Sequence, residues 1–166
     1  MTANEVIRTL NLIPHPTEGG MFLQTYVAPE LFYPGASYPG PRAHSTAIYY
    51  LLEPHTFSEI HRLRSDEIFH HYAGDPLEML QLPAGEPGKR ILIGPNLAAG
   101  ERPQILAPRD VWQGSRILPG SPIGWSLIGC TVSPGFAYED YESGARAALI
   151  AEWPQWSNLI AALTHP

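Results

Sequence analysis

The sequence predicts an antiparallel β-barrel with helical ends, on three observations. Pro (18) and Gly (15) are plentiful while charged residues make up only 16%, a balance that suits many short strands joined by tight turns better than a helical bundle. From Met21 to Tyr141, β-branched and aromatic runs alternate with clusters of Pro, Gly, Ser and Asp. Helical spacing is confined to the two ends of the chain. At 166 residues the chain reads as one domain over 1–166, with the barrel at about 18–142 and a helical segment at about 143–165. That length is enough to bury a real core.

Thr2 followed by Glu5 resembles a capping box, and Val6, Ile7 and Leu10 then give a short amphipathic helix ending before Pro14. Glu18-Gly19-Gly20 is a turn, and Met21–Val27 a strand with Phe22, Gln24 and Tyr26 on one face. Residues 29–42 are loop, and their aromatics suggest an ordered flap. Thr46–Leu52 is the clearest buried strand, closed by Pro54. Further strands are expected over Leu77–Leu82, Arg90–Ile93, Gln104–Ala107, Val111–Leu118, Ile123–Val132 and Phe136–Tyr141. Ala145, Ala148, Leu149 and Glu152 carry helical spacing, and Ser157 is placed to cap a last helix with Leu159, Ile160 and Leu163.

The charge balance narrows the possible partners. Ten Lys and Arg against 16 Asp and Glu give a formal charge of -6 with no basic stripe, which argues against nucleic acid. No apolar run approaches the ~20 residues that span a bilayer, so no membrane association is expected. The first residues show no secretory signal pattern. The single Cys130 cannot form an internal disulfide, which fits a cytoplasmic protein, and its apolar neighbours suggest a small buried side chain.

The stretch with the most chemistry is Phe57–Gly74, which holds three of the seven histidines. Alternation puts Phe57, Glu59, His61 and Leu63 on one face of a first strand. After a Ser65-Asp66 turn, Glu67, Phe69 and His71 share one face of a second. If the two strands pair as a hairpin with those faces inward, His61 and Glu67 meet across a short corner. A neutral imidazole beside a carboxylate can bind a metal, move a proton or orient a polar ligand.

Within this stretch His61, Glu67 and Gly74 keep the spacing of the first cupin motif, with Leu63 where that motif has a second His and His55 at its opening Gly. Pro108-Arg-Asp-Val-Trp-Gln113 keeps the register of the second motif, with Gln113 for its His. Across residues 4–163 the chain resembles the uncharacterised "cupin 5" family. Glu18-Gly19-Gly20, Ser45–Leu52, Ser58–Arg62, Ser65–Ile68, Ala73–Leu77, Ala99–Glu101, Trp112-Gln113 and Gly129–Phe136 carry the resemblance. Gln24 stands where the family has Glu, and His70-His71 replace a less polar pair.

The resemblance implies a small jelly-roll barrel, paired as a homodimer that would cover strand residues such as Tyr49. Catalytic cupins offer three His and one Glu to Mn, Fe, Ni or Zn. Here that set becomes His61, Leu63, Glu67 and Gln113, with His71 as a repair if it points inward. Such donors suit a transition metal poorly, so no metal and no other cofactor is expected.

The site is then read as His61 and Glu67 in catalytic roles, with Gln113, Tyr50, Phe69 and Trp125 around a small-molecule pocket. The matching activity is a metal-independent isomerase or epimerase on a carbohydrate-like or nucleotide-like metabolite. A non-catalytic metabolite binder and a metal-dependent enzyme with a degenerate ligand set are the alternatives. For the aromatic residues, ordinary core packing is the competing role.

Overall fold

Local signals set the ends of the chain. The computed structural model describes residues 1–166. In α1 (Ala3–Leu10) the Thr2 hydroxyl accepts from the Glu5 amide while the Glu5 carboxylate accepts from the Thr2 amide. Asn11, left-handed at φ 54°, ends the helix. β1 (Ile13–Pro14) and β2 (Met21–Val27) follow, and β3 (Leu31–Phe32) pairs with β4 (Arg42–Ala43) to pin the flap. Next come β5 (Thr46–Leu52), β6 (Phe57–Leu63), β7 (Asp66–Gly74), β8 (Leu77–Leu82) and β9 (Lys89–Ile93). The series closes with β10 (Gln104–Ala107), β11 (Trp112–Ile117), β12 (Ser126–Ser133) and β13 (Tyr141–Ser143). α2 (Arg146–Glu152) and α3 (Ser157–Ala162) end the chain.

Beside the small β3–β4 pair the strands form two large sheets and no closed one, so the mostly-β fold is consistent with a jelly roll but is not the closed barrel expected. One sheet runs β1-β2-β5-β12-β7-β10 and the other β13-β6-β11-β8-β9. Their edges are short strands that do not pair with each other. The expected hairpin is also corrected. β6 pairs with β11 and β13, whereas β7 pairs with β12 and β10. The bend at Arg64 and Ser65 carries the chain from one sheet to the other. Alternation specifies which face is buried but leaves the partner open, and both strands found distant partners.

Two smaller expectations also change. Residues 136–141 are not one strand: a helical turn at Tyr138–Asp140 precedes β13, as the Asp140 side chain is drawn inside to Arg42. Ser157 does not cap α3, because a 3-10 turn at Pro154–Trp156 runs straight into the helix and leaves Ser157 helical itself.

Apolar packing occupies three places. Between the sheets lie Tyr50, Leu52, Phe69, Leu77, Met79 and Ile128, with Cys130 at their margin. Outside the five-stranded sheet, Ile60, Leu80 and Leu82 are covered by Leu149, Trp153, Ile160 and Leu163 of the C-terminal helices. Outside the six-stranded sheet, Leu51 and Trp125 pack on Val6 and Leu12, with Tyr49 half-buried against the same cluster. No helix is long and apolar enough to cross a membrane.

The flap is tied down by a buried ion pair. Arg42 donates from Nε to Asp140 Oδ2 at 2.6 Å and from Nη2 to Oδ1 at 2.9 Å. Tyr38 adds a hydrogen bond to the Arg64 carbonyl at 2.7 Å. Both charged residues are buried, and without Asp140 the Arg42 guanidinium keeps only the exposed Glu139 carboxylate, at 2.6 Å, as a charged partner. Asp140→Ala should cost roughly 3–5 kcal/mol in denaturant unfolding, and the double change Arg42→Met, Asp140→Leu should recover most of it. A single-variant loss under about 1 kcal/mol would mean that the flap is held by other contacts.

Candidate functional site

The crossover at Arg64 and Ser65 puts His61 at the end of β6 and Glu67 at the start of β7, on facing sheets. Gln113, paired with His61 across β6 and β11, bridges them. Its Nε2 lies 2.8 Å from His61 Nε2 and donates to Glu67 Oε2 at 3.0 Å. His61 and Glu67 are themselves 3.9 Å apart, too far for a direct hydrogen bond. All three side chains are buried.

Glu18 joins them from the other direction. Gly19 and Gly20 sit at φ 103° and 67°, and a Cβ on either would stand 2.6–2.7 Å from the carbonyl oxygens of Phe57 and Leu51. Only glycine allows that close passage, which lays Glu18 against β6. Its carboxylate accepts from Ser58 Oγ at 2.8 Å and lies 3.9 Å from His61 Nδ1. The Tyr50 hydroxyl donates to the Gly19 carbonyl at 2.8 Å and locks the turn. Tyr141 stacks on the His61 ring at 4.8 Å and donates to Glu59.

His61 Nδ1 is 2.8 Å from the Glu59 carbonyl oxygen, so that nitrogen carries a hydrogen and donates it. Burial alone would depress the imidazole pKa, but the Glu18 and Glu67 carboxylates outweigh it and push it up to about 9. Neutral His61 accepts from the Gln113 amide. Charged, it must donate at Nε2, and the amide must present Oε1, an atom that is buried without a partner in its present orientation. Burial raises the Glu67 pKa, with His61 opposing it and Glu18 reinforcing it.

Glu67 and Glu18 face a cavity of about 330 Å³ between the sheets at this end of the molecule. Its walls are mainly apolar, with Phe22, Ile48, Leu63, Val132 and Phe136 prominent, and His15 joins the carboxylates. His61 and Gln113 lie behind Glu67 and are not part of the wall. The His15 pKa is lowered by burial, against the pull of Glu18. Its Nδ1 accepts from the Glu18 amide at 3.0 Å, which leaves the proton on Nε2.

The other residues expected at the site are placed differently. Tyr50 and Phe69 point between the sheets, but they pack in the core beneath the cavity. Trp125 is corrected outright: it lies outside the six-stranded sheet and donates from Nε1 to the Met1 carbonyl at 2.9 Å. The strand expected from Ile123 starts only at Ser126, because Asp75 accepts from the amides of Ile123 and Gly124 and holds that segment in a turn. His71 faces Ile128 and reaches the Asp75 carbonyl at 3.2 Å, so it does not join His61.

The donors fit a cupin-type metal poorly. Leu63 is an apolar wall residue, Gln113 is engaged with His61 and Glu67, and no three His, Cys, Asp or Glu side chains converge on one point. Sequence reasoning missed Glu18, His15 and Tyr141 as site residues. The Gly pair after Glu18 was a usable signal of close backbone approach, whereas nothing local marks Tyr141.

The raised His61 pKa has a stability consequence. A group whose folded pKa exceeds its unfolded value stabilises fully below the unfolded value and loses that contribution as pH rises through the folded one. The window for His61 is therefore from 6.5 to about 9, worth on the order of 3 kcal/mol at ~1.4 kcal/mol per pKa unit. The melting temperature of the native protein should fall across that window, and His61→Gln should remove most of the slope. Parallel curves for the two proteins would show that His61 stays neutral.

No curated protein matches the chain. A structure from Shewanella oneidensis is 36% identical with a TM-score of 0.87, covering 100% of this chain and 99% of that one. A hypothetical protein from Leishmania major is 31% identical with a TM-score of 0.90 and covers 100% of both. Oxalate decarboxylase from Bacillus subtilis, with Mn(II) centres, is 11% identical at a TM-score of 0.55, covering 93% of this chain and 38% of that one. That last likeness is one of fold alone. The family model described as cupin superfamily (DUF985) matches residues 4–144, and the chain belongs to this family, Cupin_5.

Proposed function

We propose that the chain binds a small metabolite with an apolar body in the cavity between its sheets, and that Glu67 meets the ligand's polar end. The observation that carries this reading is a buried carboxylate facing a cavity of about 330 Å³, within the size range of small-molecule sites. Nine of the 14 lining residues are hydrophobic, and Gln24, Thr46 and His15 are the polar ones beside the two carboxylates. This suits an amphiphilic ligand better than a polyhydroxylated sugar, which needs partners all round. No Arg or Lys lines the cavity to receive a nucleotide phosphate.

A second reading adds metal-independent proton transfer, supported by the chain from Glu67 through Gln113 to His61. In it, the Glu67 carboxylate takes a proton from an acidic C–H of the ligand and returns it to the same or a neighbouring carbon. His61 does not touch the ligand. It acts through Gln113 on the charge of Glu67, and so takes a positioning part.

A thermal-shift screen of small metabolites, run beside the variant Ile48→Trp that fills the cavity, tests the binding reading. Compounds that raise the melting temperature of the native protein should lose the effect in the variant. Equal shifts in both proteins would place binding elsewhere. For the second reading, bound compounds should take up deuterium from D₂O with the native protein and at least about a hundredfold more slowly with Glu67→Gln.

A further inference from the structure

We propose that the ligand of this cavity is a small organic cation, an amine with an apolar body, whose ammonium group pairs with Glu67. This inference rests on the cavity being the ligand site and adds the chemical class of what enters it.

The side chains facing the cavity supply two carboxylates, Glu18 and Glu67, and no Arg or Lys. Glu18 is already engaged: its Oε2 accepts from Ser58 and lies 3.9 Å from His61. Glu67 is not satisfied in the same way. Oε2 accepts from Gln113 and the Cys130 thiol acts on the carboxylate from β12, while no nitrogen or hydroxyl donor reaches Oε1. A carboxylate oxygen that no nitrogen or hydroxyl donor reaches, open to a cavity, is a position for a ligand N–H.

The charges around that position agree. His61 lies 3.9 Å from both Glu18 and Glu67, so one imidazole stands against two carboxylates, and no Arg or Lys joins it at the cavity. An anionic ligand would enter against that charge, in an apolar enclosure where repulsion is poorly screened. His15, the remaining ionisable group with a basic nitrogen in the wall, is neutral by burial and directs its Nε2 hydrogen toward Glu18 at 3.8 Å. The rings of Phe22, Phe136 and Tyr138 line the same space and offer faces suited to a cation and its apolar body.

Pairing with a cation also changes the protonation of Glu67. The groups that act on it are His61 from β6, Glu18 from the β1–β2 turn and Cys130 from β12. Burial holds its proton on to higher pH than usual in the free protein. An ammonium group beside it favours the carboxylate, so a bound amine cation lowers the Glu67 pKa.

Benzylamine, benzyl alcohol and benzoate are near-equal in shape and differ in charge, and they serve as probes near neutral pH. Titration calorimetry reads their affinities. Benzylamine should bind at least about tenfold more tightly than benzyl alcohol, the equivalent of about 1.4 kcal/mol. Benzoate should not bind. Glu67→Gln should bring benzylamine to the level of benzyl alcohol. The ranking of the three probes on the native protein tests the same point should that variant fail to fold.

If benzyl alcohol binds as tightly as benzylamine, or benzoate binds best, the cation inference falls while the cavity stands as a ligand site. If none of the three binds and the metabolite screen also gives no cavity-dependent shift, both readings fall.

Discussion

One side-chain amide joins the two sheets at the end where their polar groups collect. Gln113 projects from the five-stranded sheet, within hydrogen-bond distance of His61 on its own sheet and of Glu67 on the other. Around it the sandwich is closed by apolar contacts, which have no direction. A buried amide is different. It has fixed donor and acceptor sides, so the protonation of its two neighbours is coupled through it. With its nitrogen toward both, it suits a neutral imidazole and an ionised carboxylate. With its oxygen toward both, it suits an imidazolium and a neutral carboxyl group. The cavity-facing charge of Glu67 thereby depends on a histidine that the cavity does not reach.

The backbone holds this arrangement at two points. The bend at Arg64 and Ser65 moves the chain between sheets over two residues, and so places His61 and Glu67 opposite one another. The Gly19-Gly20 turn brings Glu18 close to β6, where a side chain at either glycine would collide with a neighbouring carbonyl. Glu18 and Glu67 then flank His61 at equal distances of 3.9 Å and hold its charge in a site that would otherwise expel it. The buried Arg42–Asp140 pair secures the flap beside the bend.

Much of this was legible in the sequence. Strand positions such as Met21–Val27, Thr46–Leu52 and Leu77–Leu82 follow from β-branched and aromatic runs between turn residues, and the structure keeps those boundaries. The His61, Glu67 and Gln113 grouping came from motif spacing and was found together. Strand partnership was not legible, because alternation around His61 and Glu67 names a buried face and no neighbour. Trp125 misled for a related reason: the turn held by Asp75 delays the strand and leaves the indole outside. Glu18 reads locally as a turn residue, and its part in the site appears only when the turn is laid across β6.

The central claim is that Glu67 is a cavity-facing carboxyl whose proton is held unusually tightly. The direct measurement is a carbon-13 NMR titration of the Glu67 side-chain carboxyl in the folded native protein, assigned with Glu67→Gln. The account predicts a midpoint clearly above the ordinary glutamate value of 4.5, moving down when a cation is bound at the cavity. A midpoint at or below 4.5 in the free protein would contradict it, since a carboxylate that ionises that readily is already paired or solvated.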